Sequence, residues 1–360
     1  MGGGTSLPES GADLRIELGG LSRVIDYPHR DLTITVEAGI RWATLQQILR
    51  EQGQRLPMDV PQGERATLGG AIACNVSGPG RFGYGTFRDY VIGISAIDGR
   101  GRLFSAGGRV VKNVAGYDLC KLLIGSRGEL AAITQVTLKV RPLAAARRLV
   151  AAEFADLQAL SRALEQLNRS ATRPVVLEVL NARAAADSPQ LSSDQPWTLL
   201  VGYEGTAREV DWQLTTVLQE LAQCNPVAAR SLSSDAEASI WDWLTEFVVR
   251  PGVVVWRGAV LPSSFARFPA EQFQRLAVRW HAGNGLFDIL LPEAEAHLPQ
   301  LTALREYVDH SGGQLSCLLA GGTPGATVTA RELSAAERLT RQIKATLDPG
   351  GLFCSPNPAH

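Results

Sequence analysis

The chain has 360 residues, of which 45% are hydrophobic and 20% are charged, so it can bury a sizeable core and we expect two domains. Its 35 basic and 36 acidic residues leave a net charge of -1, which excludes the strongly one-signed surface that attracts nucleic acid or an anionic membrane. We therefore expect its partner to be a small molecule or another protein.

The first part of the chain, residues 1–143, is rich in glycine and in short β-prone runs, which predicts a strand-dominated domain. The predicted strands span residues 32–36, 90–96 and 130–140. A hairpin turn is predicted at residues 98–101, where the sequence is Asp-Gly-Arg-Gly. A helix is predicted between the first two strands, because apolar residues follow helical spacing over 42–49 and Gly53 is placed to end it.

In the second part, residues 144–360, glycine is sparser and apolar strands alternate with longer amphipathic helices. The predicted strands span residues 149–154, 175–180, 197–203, 253–261, 286–291 and 314–319. The predicted helices span residues 157–167 and 210–221, with a last helix from a capping box at Ser334 and Glu337 to a break at Asp348. This alternation predicts an antiparallel sheet with helices over one of its faces.

The five cysteines are odd in number and lie far apart, without the short spacing of zinc, redox or iron-sulfur sites. We interpret them as reduced thiols of a cytoplasmic protein. No apolar run reaches the length that crosses a bilayer, and Met1 is followed by glycines rather than by a signal segment. We expect any contact with the inner membrane to be made through partners.

Three stretches carry residues suited to ligand binding. The first is Gly2, Gly3, Gly4, Thr5 and Ser6, where bare backbone amides can approach a phosphate and two hydroxyls can donate to it. Glycine runs near a terminus are also common as flexible segments or expression remnants. Both interpretations of this stretch remain open.

The second stretch spans residues 61–78, where small residues leave space for a flat ligand against the backbone. The small residues are Gly69, Gly70, Ala73, Ser77 and Gly78. Tight packing between a turn and a helix would explain the glycines, but not the ordered series of other side chains in and after them. That series is Asn75, Ser77, Tyr84 and Arg88.

The third stretch starts at residues 111–119, with the sequence Val-Lys-Asn-Val-Ala-Gly-Tyr-Asp-Leu. It continues to a Gly-Ser-Arg-Gly turn at residues 125–128, ahead of a buried strand through Ile133. Such a turn suits close approach of the backbone to a cofactor, and it could equally be an ordinary turn.

In this order, the three stretches resemble the FAD domain of the p-cresol methylhydroxylase/vanillyl-alcohol oxidase family. Within that family, residues 112–118, Trp256-Arg257 and residues 347–353 are similar to the FAD-binding subunits of glycolate oxidases, so the resemblance covers nearly the whole chain. It implies an α+β fold, in which a PCMH-type FAD-binding domain (1–143) precedes an α+β cap domain with an antiparallel sheet (144–360).

The resemblance also implies the residues that bind FAD. Gly2, Gly3, Gly4, Thr5 and Ser6 would hold the pyrophosphate, Thr67, Gly69, Gly70, Ala73, Asn75, Ser77 and Gly78 would line the diphosphate and flavin, and Tyr84, Gly85, Gly128 and the main chain of Ile133 would complete the channel. Thr5 and Ser6 stand where covalently flavinylated relatives place a histidine, so we expect FAD to be held non-covalently.

Two departures from the family pattern qualify the resemblance. A strand-helix-strand unit precedes the glycine loop in the family, whereas Met1 directly precedes it here, so we expect either a start codon assigned too late or an FAD domain without this unit. Relatives that oxidise D-2-hydroxy acids gather a divalent metal with a HAGDGNLH-like stretch and a Glu-His-Gly segment. This chain keeps His281, has Asp288 at the second histidine's place and lacks Glu-His-Gly, so we predict no metal site.

The candidate catalytic residues are Arg257 and His281. A guanidinium in the apolar strand at Arg257 needs a carboxylate partner, which is either a bound substrate acid or a structural Asp or Glu. For Arg81 and Arg88 the same two kinds of partner are open, a substrate acid or a structural carboxylate. A lone histidine such as His281 is more often a packed or exposed side chain than a base.

The resemblance implies a flavoprotein subunit that takes part in oxidising glycolate, a 2-hydroxy acid, to glyoxylate. It implies two partners, namely a related flavin subunit with the fuller catalytic set and an iron-sulfur subunit that receives the electrons. Two other hypotheses remain open: a self-sufficient FAD dehydrogenase for another hydroxy acid or alcohol, and a non-catalytic scaffold that has lost FAD.

Overall fold

The structure is a computed structural model, and it describes residues 16–108, 118–191, 193–292, 299–319 and 335–353. These residues form two compact units. Within the described ranges, unit 1 holds residues 16–77, 85–108, 118–143 and 335–353, and unit 2 holds residues 78–84, 144–191, 193–292 and 299–319. The predicted glycine loop at residues 2–6 and most of the stretch at 111–119 lie outside the described residues.

The strands of unit 1 are β1 (Val24–Asp26), β2 (Thr33–Glu37), β3 (Gln54–Arg55), β4 (Val91–Asp98), β5 (Leu103–Gly107), β6 (Ala131–Lys139) and β7 (Arg141–Pro142). Five of them form an antiparallel sheet in the order β1-β2-β6-β4-β5, and β3 pairs with β7. The predicted hairpin turn is confirmed, because the Asp98 N–H donates to the Arg102 carbonyl (3.1 Å) between β4 and β5.

The strands of unit 2 are β8 (Ala146–Phe154), β9 (Val176–Asn181), β10 (Trp197–Gly205), β11 (Ala228–Ser231), β12 (Val253–Ala259), β13 (Ala277–His281), β14 (Leu286–Pro292) and β15 (Gln314–Leu319). They form one sheet in the order β11-β8-β10-β9-β13-β14-β12-β15. Every pairing in it is antiparallel, as predicted.

The helices, in chain order, are α1 (Trp42–Arg50), α2 (Leu68–Ala73), α3 (Arg81–Tyr84), α4 (Phe87–Tyr90), α5 (Leu119–Leu123), α6 (Leu157–Arg169), α7 (Ala182–Ala186), α8 (Ala207–Ala222), α9 (Ser234–Glu246), α10 (Pro299–His310) and α11 (Ala335–Leu347). The predicted helix before Gly53 is α1, and Gly53 itself has a left-handed backbone (φ +65°). Ser334, the predicted cap of α11, lies outside the described residues. Among the described helices, none is long and apolar enough to cross a membrane.

The sheet of unit 2 carries helices on both faces. In β8, Val150 and Ala152 belong to a core shared with α6, α8 and α10, whereas Leu149 and Ala151 belong to a second core shared with α7 and α9. Our prediction of helices over one face was therefore wrong. The physical reason is that central strands such as β9 bury every residue, so both faces need cover.

The C-terminal helix α11 belongs to unit 1, although the predicted second domain ran from 144 to 360. The Gly99 N–H, in the β4–β5 turn, donates to the Leu347 carbonyl (2.9 Å) at the end of α11. A Cβ on Gly99 would lie 2.3 Å from the Asp348 Oδ1, so this turn accepts α11 only because residue 99 is glycine. Contacts more than 200 residues apart in sequence decide this placement.

Candidate functional site

In unit 1, the short helix α2 and the residues around it contain most of the predicted cofactor residues. Thr67 caps α2, because its side-chain oxygen accepts a hydrogen bond from the Gly70 N–H (3.3 Å). The Gly69 N–H donates to the Ala38 carbonyl (2.7 Å), and a Cβ on Gly69 would lie 2.8 Å from the Ala38 Cβ. Close packing is thus sufficient to require glycine at position 69, as the packing interpretation proposed.

Helix α2 ends at a left-handed residue, Asn75, with φ +47°. The Asn75 N–H donates to the Ile72 carbonyl (2.9 Å) and the Val76 N–H donates to the Ala71 carbonyl (3.0 Å). This pair of bonds closes a Schellman motif, in which glycine or asparagine occupies the left-handed position. The backbone therefore gives one reason for Asn75, and this reason does not involve its side chain.

The Gly-Ser-Arg-Gly turn at residues 125–128 lies against the end of α2. The Gly125 N–H donates to the Ile72 carbonyl (3.1 Å) and the Arg127 N–H donates to the Ala73 carbonyl (2.7 Å). Gly125, Arg127 and Gly128 are all left-handed, with φ values of +86°, +54° and +78°. The turn thus adopts an unusual conformation, and it is joined to α2 by backbone hydrogen bonds.

Two buried polar atoms at this junction have no hydrogen-bond partner in the described part of the chain. They are the Asn75 Oδ1 and the Ser126 Oγ. The two residues are close together, because a Cβ placed on Gly125, the neighbour of Ser126, would lie 3.5 Å from the Asn75 Cβ. Buried side-chain polar atoms nearly always have a partner. A flavin nucleotide offers hydroxyls, ring N–H donors and carbonyl acceptors, so the residues present fit FAD. Ser126 was not among the predicted site residues, and its position in the glycine-flanked turn was the signal for it.

Cys74 lies beside this junction as a neutral thiol. Burial raises the pKa of Cys74 to about 11, and the Arg127 guanidinium opposes this only in part. A thiol with such a pKa is protonated near neutral pH and is a poor nucleophile. Cys74 is therefore suited to packing rather than to covalent chemistry.

The remaining predicted cofactor residues divide between the two units. In unit 1, Ser77 is buried, Gly85 is left-handed (φ +79°) ahead of α4, and Ile133 lies next to an irregular pairing of β4 and β6. Gly78 and Tyr84 belong to unit 2, where the Tyr84 hydroxyl donates to the Glu204 Oε2 (2.6 Å).

The two other arginines considered from the sequence have different surroundings. Arg88 is exposed in unit 1, and its Nη2 donates to the Lys121 carbonyl (2.8 Å). Arg81 begins α3 in unit 2. The structure therefore gives no common role to this pair.

Unit 2 contains a cluster of five buried or nearly buried charged and titratable residues, which we call the charge cluster: Glu178, Arg257, Arg279, His281 and Asp288. Strand register brings them together, because Asp288 of β14 lies opposite both Arg257 of β12 and Arg279 of β13, and His281 lies opposite Glu178 of β9. Residues directly opposite each other in a sheet point to the same face. The cluster thus lies on one face of the sheet.

Arg257 has a structural carboxylate partner. Its Nε and Nη2 donate to the two oxygens of Asp288 at 2.7 and 2.9 Å, a bidentate pair. Its Nη1 has no partner among the described residues, and 16% of the side chain is exposed. The salt-bridge interpretation of Arg257 is therefore observed, and one edge of the guanidinium is left for a further anion.

Asp288 is the centre of the charge cluster. Arg279 also donates to it (Nη2 to Oδ2, 2.7 Å), and the Arg279 Nη1 donates to the Leu244 carbonyl. Burial alone would raise the pKa of Asp288, but the Arg257 and Arg279 guanidiniums outweigh this and hold the pKa well below its usual range. Asp288 is therefore a carboxylate at all ordinary pH values.

His281 is fully buried, with 1% of its side chain exposed. Its Nδ1 lies 2.5 Å from the Glu178 Oε1, and its Nε2 has no hydrogen-bond partner in the described chain, lying 3.7 Å from the Asp288 Oδ2. His281 thus lies between two buried carboxylates, Glu178 at Nδ1 and Asp288 on the side of Nε2.

The charge cluster does not fit a divalent metal. Its carboxylates are already paired with Arg257, Arg279 and His281, and two guanidiniums would repel a further cation. Throughout the described ranges, no group of three or more His, Cys, Asp or Glu side chains is arranged to hold a metal ion.

Comparison with known proteins shows the family to which the chain belongs. Residues 1–107 match the FAD binding domain family, and residues 143–263 match the family of FAD linked oxidases, C-terminal domain. The chain is 30% identical to the glycolate oxidase subunit GlcE of Escherichia coli (strain K12), over 92% of this chain and 83% of that protein. Both matches agree with the resemblance inferred from the motifs.

Other relatives are matched over less of their length. The chain is 26% identical to the mitochondrial D-lactate dehydrogenase (cytochrome) of Arabidopsis thaliana, over 98% of this chain and 66% of that protein. It is 29% identical to the glycolate oxidase subunit GlcD of Bacillus subtilis (strain 168), over 50% of this chain and 38% of that one. A solved alkyldihydroxyacetonephosphate synthase shares the fold, with a TM-score of 0.68 at 20% identity, over 94% of this chain and 66% of that one. From its likeness to GlcE and from both domain matches, the chain belongs to the FAD-linked oxidase family of oxidoreductases, with the PCMH-type FAD-binding domain and α+β fold that the motifs predicted.

Proposed function

We propose that the chain is the FAD-binding subunit of a glycolate oxidase or dehydrogenase, which oxidises glycolate to glyoxylate and passes electrons from FAD to an iron-sulfur partner. The observation that carries the proposal is the junction of α2 with the turn at 125–128, where the buried Asn75 Oδ1 and Ser126 Oγ have no partner among the described residues. Asn75 lies within residues 1–107, which match the FAD binding domain. The likeness to GlcE and GlcD supports glycolate as substrate and a complex of several subunits.

The proposed cofactor-binding residues are those that the family resemblance implies, together with one residue of the junction. We propose that FAD is bound by Gly2, Gly3, Gly4, Thr5, Ser6, Thr67, Gly69, Gly70, Ala73, Asn75, Ser77, Gly78, Tyr84, Gly85, Gly128 and Ile133, with Ser126 added to this set. The cofactor is held non-covalently, because the loop at residues 2–6 contains no histidine and the neighbouring Cys74 thiol is protonated.

For the chemistry, FAD when bound supplies an acceptor for the hydride equivalent that leaves the α-carbon of a 2-hydroxy acid. The Nη1 of Arg257, which has no partner among the described residues, binds the substrate carboxylate, and the pair with Asp288 holds the guanidinium in place. His281, whose Nδ1 lies against Glu178, is the second candidate catalytic residue in this cluster.

The partners are a related flavin subunit and an iron-sulfur subunit. The five cysteines of the sequence lie far apart, without the spacing of an iron-sulfur site, which supports an iron-sulfur acceptor on a partner. We propose a cytoplasmic complex that reaches the inner membrane only through these partners.

The purified protein tests this proposal by its visible spectrum. We expect a flavin absorbance band that acid releases into solution, and bleaching by glycolate under anaerobic conditions only when the partner subunits are added. Bleaching by D-lactate or glycolate without partners would favour the self-sufficient dehydrogenase instead. Failure to bind added FAD would favour the scaffold that has lost its cofactor and would contradict the proposal.

The side chain of Asn75 has its own test. Asn75→Gly keeps the left-handed cap, because glycine is the preferred residue there, but it removes the Oδ1. We expect unchanged thermal stability and an FAD Kd raised about tenfold, the loss of one hydrogen bond. Flavin titration measures this effect. Asn225→Gly is the matched control, since Asn225 is also left-handed (φ +54°) but lies in unit 2. An unchanged Kd for Asn75→Gly would mean that Asn75 serves only the backbone.

A further inference from the structure

The end of α11 forms a compact network in unit 1. The Lys344 Nζ donates to the Asp348 Oδ2 (2.5 Å), to the Phe353 carbonyl (2.7 Å) and to the Glu129 carbonyl (2.7 Å). Asp348 is buried and also accepts from the backbone N–H groups of Leu352 (2.8 Å) and Phe353 (2.9 Å). All three hydrogens of one ammonium group are thus directed at acceptors.

One of these three acceptors belongs to a different part of unit 1. Glu129 directly follows the turn at residues 125–128, which lies against α2 in the candidate cofactor site. The bond from Lys344 to Glu129 spans 215 residues of sequence, whereas the bonds to Asp348 and Phe353 are local. Lys344 therefore joins the C-terminal segment to the turn itself.

The turn needs such a restraint. Three of its four residues have positive φ, and Arg127 is not a glycine, so its left-handed conformation is disfavoured by its Cβ. The backbone bonds to Ile72 and Ala73 hold the first part of the turn, and the Lys344 bond holds the residue after Gly128. The turn is thereby restrained on both sides.

Helix α11 has a mostly exposed body and a buried polar end. Most of its described side chains are exposed, and the polar network at its end is largely buried. A helix whose side chains are mostly exposed contributes little apolar core. Its contacts instead set the geometry of the segments that they reach.

We infer that Lys344 is a positioning residue for the cofactor: through the Glu129 carbonyl it holds the turn at 125–128 in the left-handed form that closes on α2 and presents Ser126 to FAD. The inference rests on the proposed FAD site. It adds Lys344 to that site, although Lys344 lies more than 200 positions from the turn in sequence and does not itself touch the cofactor.

A double-mutant cycle tests the inference with FAD as the probe. Lys344→Met is expected to raise the FAD Kd about tenfold, the effect of one charge-assisted hydrogen bond. Arg127→Gly removes the Cβ that disfavours the left-handed turn, so in its presence Lys344→Met should raise the Kd by less than about threefold. Measuring Arg127→Gly alone accounts for any direct contact of the Arg127 side chain.

Lys121→Met is the matched control, because Lys121 is an exposed lysine on α5 close to the same turn and pairs only locally with Asp118 (3.1 Å). Its Kd for FAD should equal that of the unmodified protein.

If Lys344→Met does not fold, Lys344→Gln, which keeps a donor, should give a smaller rise in Kd. An equal effect of Lys344→Met in both backgrounds, or none, would overturn the inference. Absence of FAD binding by the unmodified protein would instead overturn the proposed function.

Discussion

Asp288→Asn is expected to lower the free energy of unfolding of unit 2 by about 3–5 kcal/mol. The Asp288 carboxylate is fully buried and accepts three hydrogen bonds from Arg257 and Arg279. An amide of nearly the same shape would leave two guanidiniums without their counter-charge. Removing one member of a buried ion pair costs much more than the pair contributes in net terms, because the remaining charge stays desolvated.

Denaturant unfolding followed by tryptophan fluorescence measures this loss. Trp42 is in unit 1 and the other six tryptophans of the chain are in unit 2, so the signal reports chiefly on unit 2. Asp309→Asn is the control, since Asp309 is an exposed carboxylate of α10 in the same unit, and it should change stability by less than about 0.5 kcal/mol. A loss below about 1 kcal/mol for Asp288→Asn would mean that the charge cluster behaves like exposed ion pairs.

The low pKa of Asp288 predicts that the stability of unit 2 depends on pH. The folded-state pKa of Asp288 is well below the usual carboxyl value, so the unfolded chain takes up this proton first as the pH falls. The contribution of Asp288 is therefore complete above about pH 4 and is lost as the pH falls through its folded pKa. We expect the stability difference between the unmodified protein and Asp288→Asn to stay constant from about pH 7 to about pH 5 and to shrink below about pH 4. A difference that shrinks already near neutral pH would contradict this assignment.

Gly285→Ala should destabilise unit 2 by about 2–5 kcal/mol, since two separate costs add. Gly285 is left-handed (φ +68°), and a Cβ there would lie 1.9 Å from the Val260 carbonyl oxygen, a backbone atom that cannot move alone. The residue ends the turn between β13 and β14. That hairpin sets the register in which Arg279 lies opposite Asp288, so the variant should also disturb the charge cluster.

Gly312→Ala separates the two costs. Gly312 is left-handed to a similar degree (φ +62°), but a Cβ there meets nothing within 4 Å. It should therefore show only the conformational cost of about 1–2 kcal/mol. Both variants are compared by thermal and denaturant unfolding. Equal losses would mean that the turn at Gly285 relaxes and that the contact with Val260 does not matter.

Local patterns were enough to predict about half of the strands and helices of this protein. Helical spacing before Gly53 predicted α1, the Asp-Gly-Arg-Gly sequence predicted the β4–β5 turn, and the apolar runs of the second part predicted its antiparallel strands. Each of these features depends on residues close in sequence, so periodicity and turn chemistry suffice. The family, in contrast, was predicted from the resemblance of the three ordered motif stretches to a known FAD domain, and the comparisons confirm it.

The partners of the key side chains could not be predicted in this way. Arg257 was expected to pair with a carboxylate of substrate or protein, and the choice of Asp288, 31 residues away, depends on strand register. The sequence likewise did not reveal that Glu178 pairs with His281 across 103 residues. A shift of one residue in either register would send these side chains to opposite faces of the sheet.

By itself, the sequence determined the family, the cofactor class, most of the strands, the helices α1, α6, α8 and α11, and the left-handed position of Gly53. Only the tertiary structure decided that helices cover both faces of the unit 2 sheet, that α11 joins unit 1, and that Lys344 reaches the turn beside α2. The physical reason is the range of the interactions involved. Turns and amphipathic elements follow from neighbouring residues, whereas sheet faces, helix docking and buried charge pairs depend on segments that meet only when the whole chain is folded.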